Sequence, residues 1–157
     1  MRTVLAVLAV VLCFFQPSPA FAQTKADAYK MSGVLEEISQ EINRVRKNIL
    51  EMSRGLPEAE SDTATFLYDF TAVMEEQLSV LSMLGTLYSL MVHPKDEATA
   101  RQIMVAYART LNVPLITKAI NERLGRLRSP PAIAEAQKLR DAIQRGQDVI
   151  RGTVAGK

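Results

Sequence analysis

Eight apolar residues alternate three and four positions apart over residues 28–52. The residues of this seam are Ala28, Met31, Leu35, Ile38, Ile42, Val45, Ile49 and Met52. The positions between them are mostly charged or polar, as at Glu37 and Arg44. Such a repeat keeps one face of a helix against a neighbour, which is typical of a bundle or a coiled coil. It predicts a first helix over this range, ended by Gly55 and Pro57.

The next apolar run predicts a second helix that begins near Ser61 or Asp62, both of which are favourable N-cap residues. Its apolar residues form two adjacent lines. One line is Phe66, Phe70, Val73, Val80, Leu84, Leu87 and Met91, and the other is Leu67, Met74, Leu78, Leu81 and Tyr88. Two lines imply a broad buried face, so we expect this helix to be the most enclosed. Gly85 interrupts that face and predicts a close approach by a neighbouring helix.

Proline and capping residues divide the rest of the chain. Pro94 suits the first position of a third helix, whose apolar stripe is Ile103, Tyr107 and Leu111 and resumes at Ile116, Ile120, Leu124 and Leu127. Pro114 removes a backbone hydrogen bond within that stripe, so the third helix is predicted to be kinked or split, with Asn112 as a cap. Ser129 and Pro130 predict the start of a fourth helix. Its apolar face is Ala132, Ala136, Leu139, Ile143, Gly146 and Ile150.

These patterns predict an all-α fold. Short connections make sequential helices run antiparallel, so the expected architecture is an up-down antiparallel four-helix bundle with its third helix kinked or split at Pro114. Residues 23–157 are expected to form one helical-bundle domain, since 135 residues are enough to bury a core without disulfide bonds or structural metal ions.

The first 22 residues have the features of a cleavable signal peptide. Arg2 precedes an apolar run from Val4 to Phe15, and residues 20–22 read Ala-Phe-Ala, a small-x-small cleavage pattern. Cleavage before Gln23 would deliver the protein to the periplasm or outside the cell. The longest later apolar run, residues 78–92, is shorter than the ~20 residues of a spanning helix. We therefore expect no stable membrane anchor after cleavage.

Composition argues against several classes of chemistry. Without Arg2 the chain has 18 basic and 17 acidic side chains, a net charge of +1, which favours no nucleic-acid partner. Its single cysteine, Cys13, lies in the predicted signal peptide. The remaining chain therefore has no thiolate for zinc, iron–sulfur or nucleophilic chemistry. We expect no catalytic residues, no cofactor and no metal site, and hence no enzyme.

His93 is the only histidine, which rules out a site built from several histidines. In an antiparallel hairpin Met31 and His93 would lie at the same end of the bundle, and a methionine–histidine pair can hold haem without covalent attachment. The alternative is that His93 caps a helix or is solvated and that Met31 is core filler. Met31 and His93 are therefore the only cofactor-binding candidates.

Three further groups have both a functional and a structural interpretation. The acids Glu36, Glu37, Glu41, Glu75 and Glu76 could bind a metal but suit a solvated face better. The basic residues Lys118, Arg123, Arg126 and Arg128 could bind an anion, but they also suit a helix C-terminus. Met83 lies off the main apolar line of the second helix, and an exposed apolar face there would indicate a partner or a dimer.

The function predicted from the sequence is that of an exported, non-enzymatic helical bundle in the cell envelope. It would act by binding a protein partner or by self-association, since the regular seam of the first helix favours interaction. The alternative is a bundle that binds a small ligand or a cofactor, such as non-covalently held haem, in an interior cavity near Gly85, Pro114 or Gly146. No motif in the chain identifies a family.

Overall fold

The computed structural model describes residues 24–111 and 113–155, and the predicted signal peptide lies outside these ranges. The described chain forms helices and connecting turns without a strand, so the all-α prediction is confirmed. In chain order the helices are α1 (Lys25–Ser53), α2 (Glu58–Leu90), α3 (Pro94–Thr110), α4 (Val113–Leu124) and α5 (Pro130–Ala155). Asn112, the predicted cap, lies outside the described residues.

Helix α1 begins with a capping box that the sequence analysis did not predict. The Asp27 amide donates to Thr24 Oγ1 and the Thr24 amide donates to Asp27 Oδ2, each over 3.2 Å. This reciprocal pair satisfies two amides that the helix itself cannot. Downstream, every residue of the predicted seam from position 28 to 49 is buried, and Met52 is half-buried. The seam therefore supplies one side of the hydrophobic core.

Helices α1 and α2 are antiparallel and joined at regular intervals by hydrogen bonds from side chains to the opposite backbone. Ser82 Oγ donates to the Ser32 carbonyl over 2.9 Å, and Ser39 Oγ donates to the Glu75 carbonyl over 3.2 Å. Arg46 Nε donates to the Tyr68 carbonyl over 2.7 Å. Each step of seven residues along α1 matches a step of seven residues back along α2. The pairing thus keeps one register over most of the interface.

Two glycines permit close helix packing. A Cβ atom at Gly85 would overlap Ser32 Oγ and would lie 2.9 Å from Met31 Cε. A Cβ atom at Gly146 would lie 3.1 Å from Leu78 Cδ1. The close approach predicted at Gly85 is confirmed, and both glycines face packed side chains.

Helix α5 packs against α1 and α4, and its start is capped from α2. The Glu60 carboxylate accepts hydrogen bonds from the Arg128 and Ser129 amides over 2.8 and 2.9 Å. These bonds hold the Glu60 pKa below its usual value. Along the rest of α5, Arg145 pairs with Glu41 of α1. The predicted apolar face of the fourth helix is buried.

Two details of the predicted helices are wrong. Helix α2 begins at Glu58 because Pro57, with φ −55°, already has a conformation compatible with a helix start, so neither Ser61 nor Asp62 is the cap. On α3 the buried residues are Ala100, Met104 and Ala108. Of the predicted stripe, Ile103 is exposed, whereas Tyr107 and Leu111 are partly buried against the core.

Candidate functional site

The most exposed regular apolar surface among the described residues lies on α2. Its residues, spaced alternately three and four apart, are Val73, Glu76, Val80, Met83, Leu87 and Leu90; we call this set the outer face. Val73 is 51 % exposed, Met83 63 %, Leu87 45 % and Leu90 69 %. Val80 is half-buried. The outer face thus has the period of a helix-pairing seam but no partner helix within the described chain.

The expectation that the second helix is the most enclosed holds in part: α2 contacts each of the other four helices, but only one of its two apolar lines is fully buried. The line that begins at Leu67 and ends at Tyr88 is buried. The line with Val73 and Leu87 is covered only in part, because these two residues are exposed while the other residues of the line are partly buried. Met83, singled out from the sequence, lies in the exposed surface.

Helix α3 borders the outer face. Helices α2 and α3 are joined by the three residues 91–93 and contact each other, so they run antiparallel here. Tyr107 lies 13 residues after the start of α3 and Glu76 lies 14 residues before the end of α2, which puts the two near the same level. Burial, and secondly the negative charge of Glu76, raises the pKa of Tyr107. One turn earlier on α3, Ile103 is 51 % exposed, near the level of Val80. Ile103 therefore widens the apolar surface toward α3.

Charge is distributed unevenly along α2. The helix has six acidic residues and neither lysine nor arginine, and all six acids lie at or before Glu76. The 18 positions from 77 to 94 contain no Asp, Glu, Lys or Arg, and Lys95 is the first charge after them. Glu76 and Lys95 are both exposed. The apolar part of the outer face thus lies in an uncharged segment with an acid before it and a base after it.

A buried polar cluster lies on another side of α2, against α1. Besides its bond to the Tyr68 carbonyl, Arg46 pairs with Glu75, and its guanidinium lies 4.5 Å from the centre of the Tyr68 ring. Asn43 also donates to Glu75. These groups satisfy one another across the helix interface, which indicates a structural role for this cluster.

The two haem candidates lie in different surroundings. Met31 is buried, with its methyl group facing Gly85. His93 is exposed and occupies the N-cap position of α3 without a side-chain capping bond. Gly85 lies five residues before the end of α2, whereas His93 lies beyond that end, so the structure does not place the two candidates side by side. The haem pair stays a prediction from the sequence.

Most of the acids and bases considered from the sequence have structural partners. Glu41 pairs with Arg145, and Lys118 lies 3.9 Å from Glu122. The Arg123 guanidinium lies 4.1 Å from the centre of the Phe66 ring. Within residues 24–111 and 113–155, no three His, Cys, Asp or Glu side chains lie close enough together to hold a metal ion.

The grooves of the described surface are open to solvent. One of about 600 Å³ lies between α4 and α5 and is lined by polar residues that include Asn121, Gln144 and Gln147. A groove of about 580 Å³ lies beside Arg46 and Glu75. Neither groove reaches Gly85 or Gly146, where the cavity-binding alternative placed its opening.

Comparison of the chain with protein-family models, curated proteins and solved structures finds no match. A search for apolar helices of membrane-spanning length returns none among the described residues.

Proposed function

We propose that this protein is an exported, non-enzymatic helical bundle that works by binding another protein or a second copy of itself. The observation that supports the proposal is the outer face of α2. Met83, Leu87 and Leu90 are exposed there at the spacing used by pairing helices. Covering such a surface removes apolar area from water, at roughly 25 cal/mol per Å².

We further propose that the helices form an up-down four-helix bundle, with α3 and α4 as its third member, kinked or split at Pro114. Contacts along each side support this arrangement. Helix α2 contacts α1, α3 and α4, while α5 contacts α1, α3 and α4. Lys25, at the start of α1, pairs with Glu97 at the start of α3. Arg123, near the end of α4, stacks on Phe66 near the start of α2.

Export completes the proposal. The apolar run and the Ala-Phe-Ala sequence before Gln23 support removal of residues 1–22 and action in the periplasm or outside the cell. The N-terminal sequence of the protein from cell fractions tests this step. A chain that begins at Gln23 in the envelope or the medium supports export, and an intact Met1 terminus in the cytoplasm contradicts it.

Site-specific photocrosslinking in living cells tests the interaction. A photoreactive residue at Met83 or Leu87 is expected to form a crosslinked adduct that can be identified by mass spectrometry. The matched control is Leu115 of α4, which is exposed and apolar but lies outside the outer face. Adducts at Met83 and Leu87 but not at Leu115 support the proposal. No adduct at either outer-face position, or equal labelling at all three, contradicts it.

The cofactor alternative has a direct test. Haem titrated into the purified protein would give a Soret band if Met31 and His93 bind it. Loss of that band in His93→Ala would assign the histidine, and no band in the unmodified protein would remove the alternative.

A further inference from the structure

We infer that the outer face of α2 binds the same face of a second copy of this chain, in an antiparallel two-fold dimer. This inference rests on the proposed function and specifies the partner. The evidence is the spacing of the exposed apolar residues together with the charges at the two ends of the uncharged segment, Glu76 and Lys95.

The spacing gives each copy a short seam. Val80, Met83, Leu87 and Leu90 follow one another at intervals of three, four and three residues. This pattern lets the apolar side chains of one helix fit between those of another. The exposed side chain of Val92 continues the apolar surface toward α3. From Val80 to Leu90 the seam is about 15 Å long, which is short for a permanent interface.

The charges select the direction of pairing. In a parallel pair, Glu76 would lie against Glu76 of the second copy, which is repulsive. In an antiparallel pair centred at the level of Gly85, Glu76 lies nine residues before the centre of α2, and Lys95 lies at the start of α3, beyond the opposite end of α2. Each Glu76 then lies at the same end of the interface as Lys95 of the other copy. Two identical contacts of this kind are what a two-fold interface requires.

The same argument selects the register. When the pair is centred at Gly85, Met83 lies opposite Leu87 of the second copy, and Val80 lies opposite its Leu90. A register that pairs the whole outer face, with Val73 opposite Leu90, would bury Glu76 against Leu87. Burying an unpaired carboxylate is unfavourable, so the shorter overlap is preferred. Positions 77–92 have no charged side chain that would oppose the contact.

Analytical ultracentrifugation of the purified processed protein tests the dimer. The small seam predicts a dissociation constant of about micromolar order, so the protein is expected to change from monomer to dimer between ~1 and ~100 µM. Leu87→Glu is expected to raise the dissociation constant at least tenfold. Leu115→Glu, an equivalent change on α4, is expected to leave it unaltered. Circular dichroism of both variants confirms that the helices still form.

A charge exchange tests the two-fold geometry. Glu76→Lys and Lys95→Glu are each expected to weaken the dimer severalfold, because each creates two like-charge contacts. The double variant is expected to recover most of the affinity, since both contacts are restored with reversed sign. If α2 bound a different protein instead of a second copy, the double variant would not be expected to recover its affinity. No recovery in the double variant overturns the antiparallel arrangement.

The two levels of the proposal fail separately. A strict monomer at 100 µM whose Met83 photoadduct contains a different protein overturns the dimer and leaves the proposed function standing. A strict monomer without any adduct at Met83 or Leu87 overturns both. A dimer that persists unchanged in Leu87→Glu shows that the copies associate elsewhere, and overturns the inference.

Discussion

Replacing Gly85 by alanine tests the close contact between α1 and α2. Alanine favours a helix interior over glycine by about 1 kcal/mol. Here, however, the new Cβ would overlap Ser32 Oγ and would lie 3.2 Å from the Ala28 carbonyl oxygen. That oxygen belongs to the backbone of α1, so the helix itself must give by a few tenths of an ångström. This contact puts Gly85→Ala in the upper part of the ~1–3 kcal/mol range for overpacking. After the gain in helix propensity, we expect the free energy of unfolding to fall by about 1–2 kcal/mol.

Gly33 provides a matched control within the same pair of helices. It is exposed, and a Cβ atom there would meet nothing within 4 Å. Gly33→Ala is therefore expected to raise the free energy of unfolding by about 0.5–1 kcal/mol. Urea denaturation followed by circular dichroism measures both variants. At about 2–4 °C per kcal/mol, the two melting temperatures would differ by roughly 3–12 °C.

A second variant assigns the clash to named atoms. Ser32→Ala removes the hydroxyl that a Gly85 side chain would meet, while the Ser32 carbonyl that accepts from Ser82 remains. In the Ser32→Ala background, Gly85→Ala is expected to cost less than it does alone. The reasoning is refuted if Gly85→Ala is as stable as Gly33→Ala, since the helices would then not be in close contact at this level.

Three further variants test other contacts by chemical denaturation. Glu60→Gln is expected to flatten the acid side of the stability profile. Since the folded pKa of Glu60 is below its usual value, its contribution is present above about pH 4.3 and is lost as the pH falls through the lowered pKa; identical profiles would contradict this. Arg46→Ala is expected to lower the free energy of unfolding by about 2–4 kcal/mol, because it leaves the partly buried Glu75 without its cation. The loss should be smaller when Glu75→Gln is also present. Additive effects of the two substitutions would argue against the ion pair. Leu78→Ala is expected to lower the free energy of unfolding by about 2–5 kcal/mol. The loss should be smaller when it is combined with Gly146→Ala, because the new methyl group enters the vacated space. An absence of this compensation would refute the contact.

The periodic parts of the fold could be predicted from the sequence. The seam from Ala28 to Ile49 is strictly regular, and a helix of this kind has only one face that can be buried. Pro94 and Pro130 gave the starts of α3 and α5 correctly, because proline is compatible with the first turn of a helix and not with its interior.

The wrong predictions concern positions where the sequence alone allows more than one set of residues to be buried. On α2 both apolar lines were suitable for burial, and only the positions of α1 and α3 decide which one is covered. On α3 the apolar stripe through Ile103 predicts the wrong residue for burial, because Met104, with Ala100 and Ala108, faces inward instead. The Glu60 cap on α5 joins residues nearly 70 positions apart, which no local pattern reveals.

The outer face itself was only partly predictable. Met83 was noticed because it departs from the main apolar line, yet its spacing from Val80, Leu87 and Leu90 is also a repeat that the sequence contains. A search for a second seam on the same helix would have found it. The separation of acids before position 77 from the uncharged segment after it is a further signal of that kind.

The regular hydrogen bonds between α1 and α2 have a consequence for which substitutions the protein can tolerate. Ser82, Ser39 and Arg46 supply the donors, but every acceptor is a main-chain carbonyl, which no side-chain replacement can remove. Substitutions at the accepting positions therefore leave these three hydrogen bonds intact, whereas substitutions at the three donors remove them. The hydrogen-bonded part of the register thus depends on three side chains.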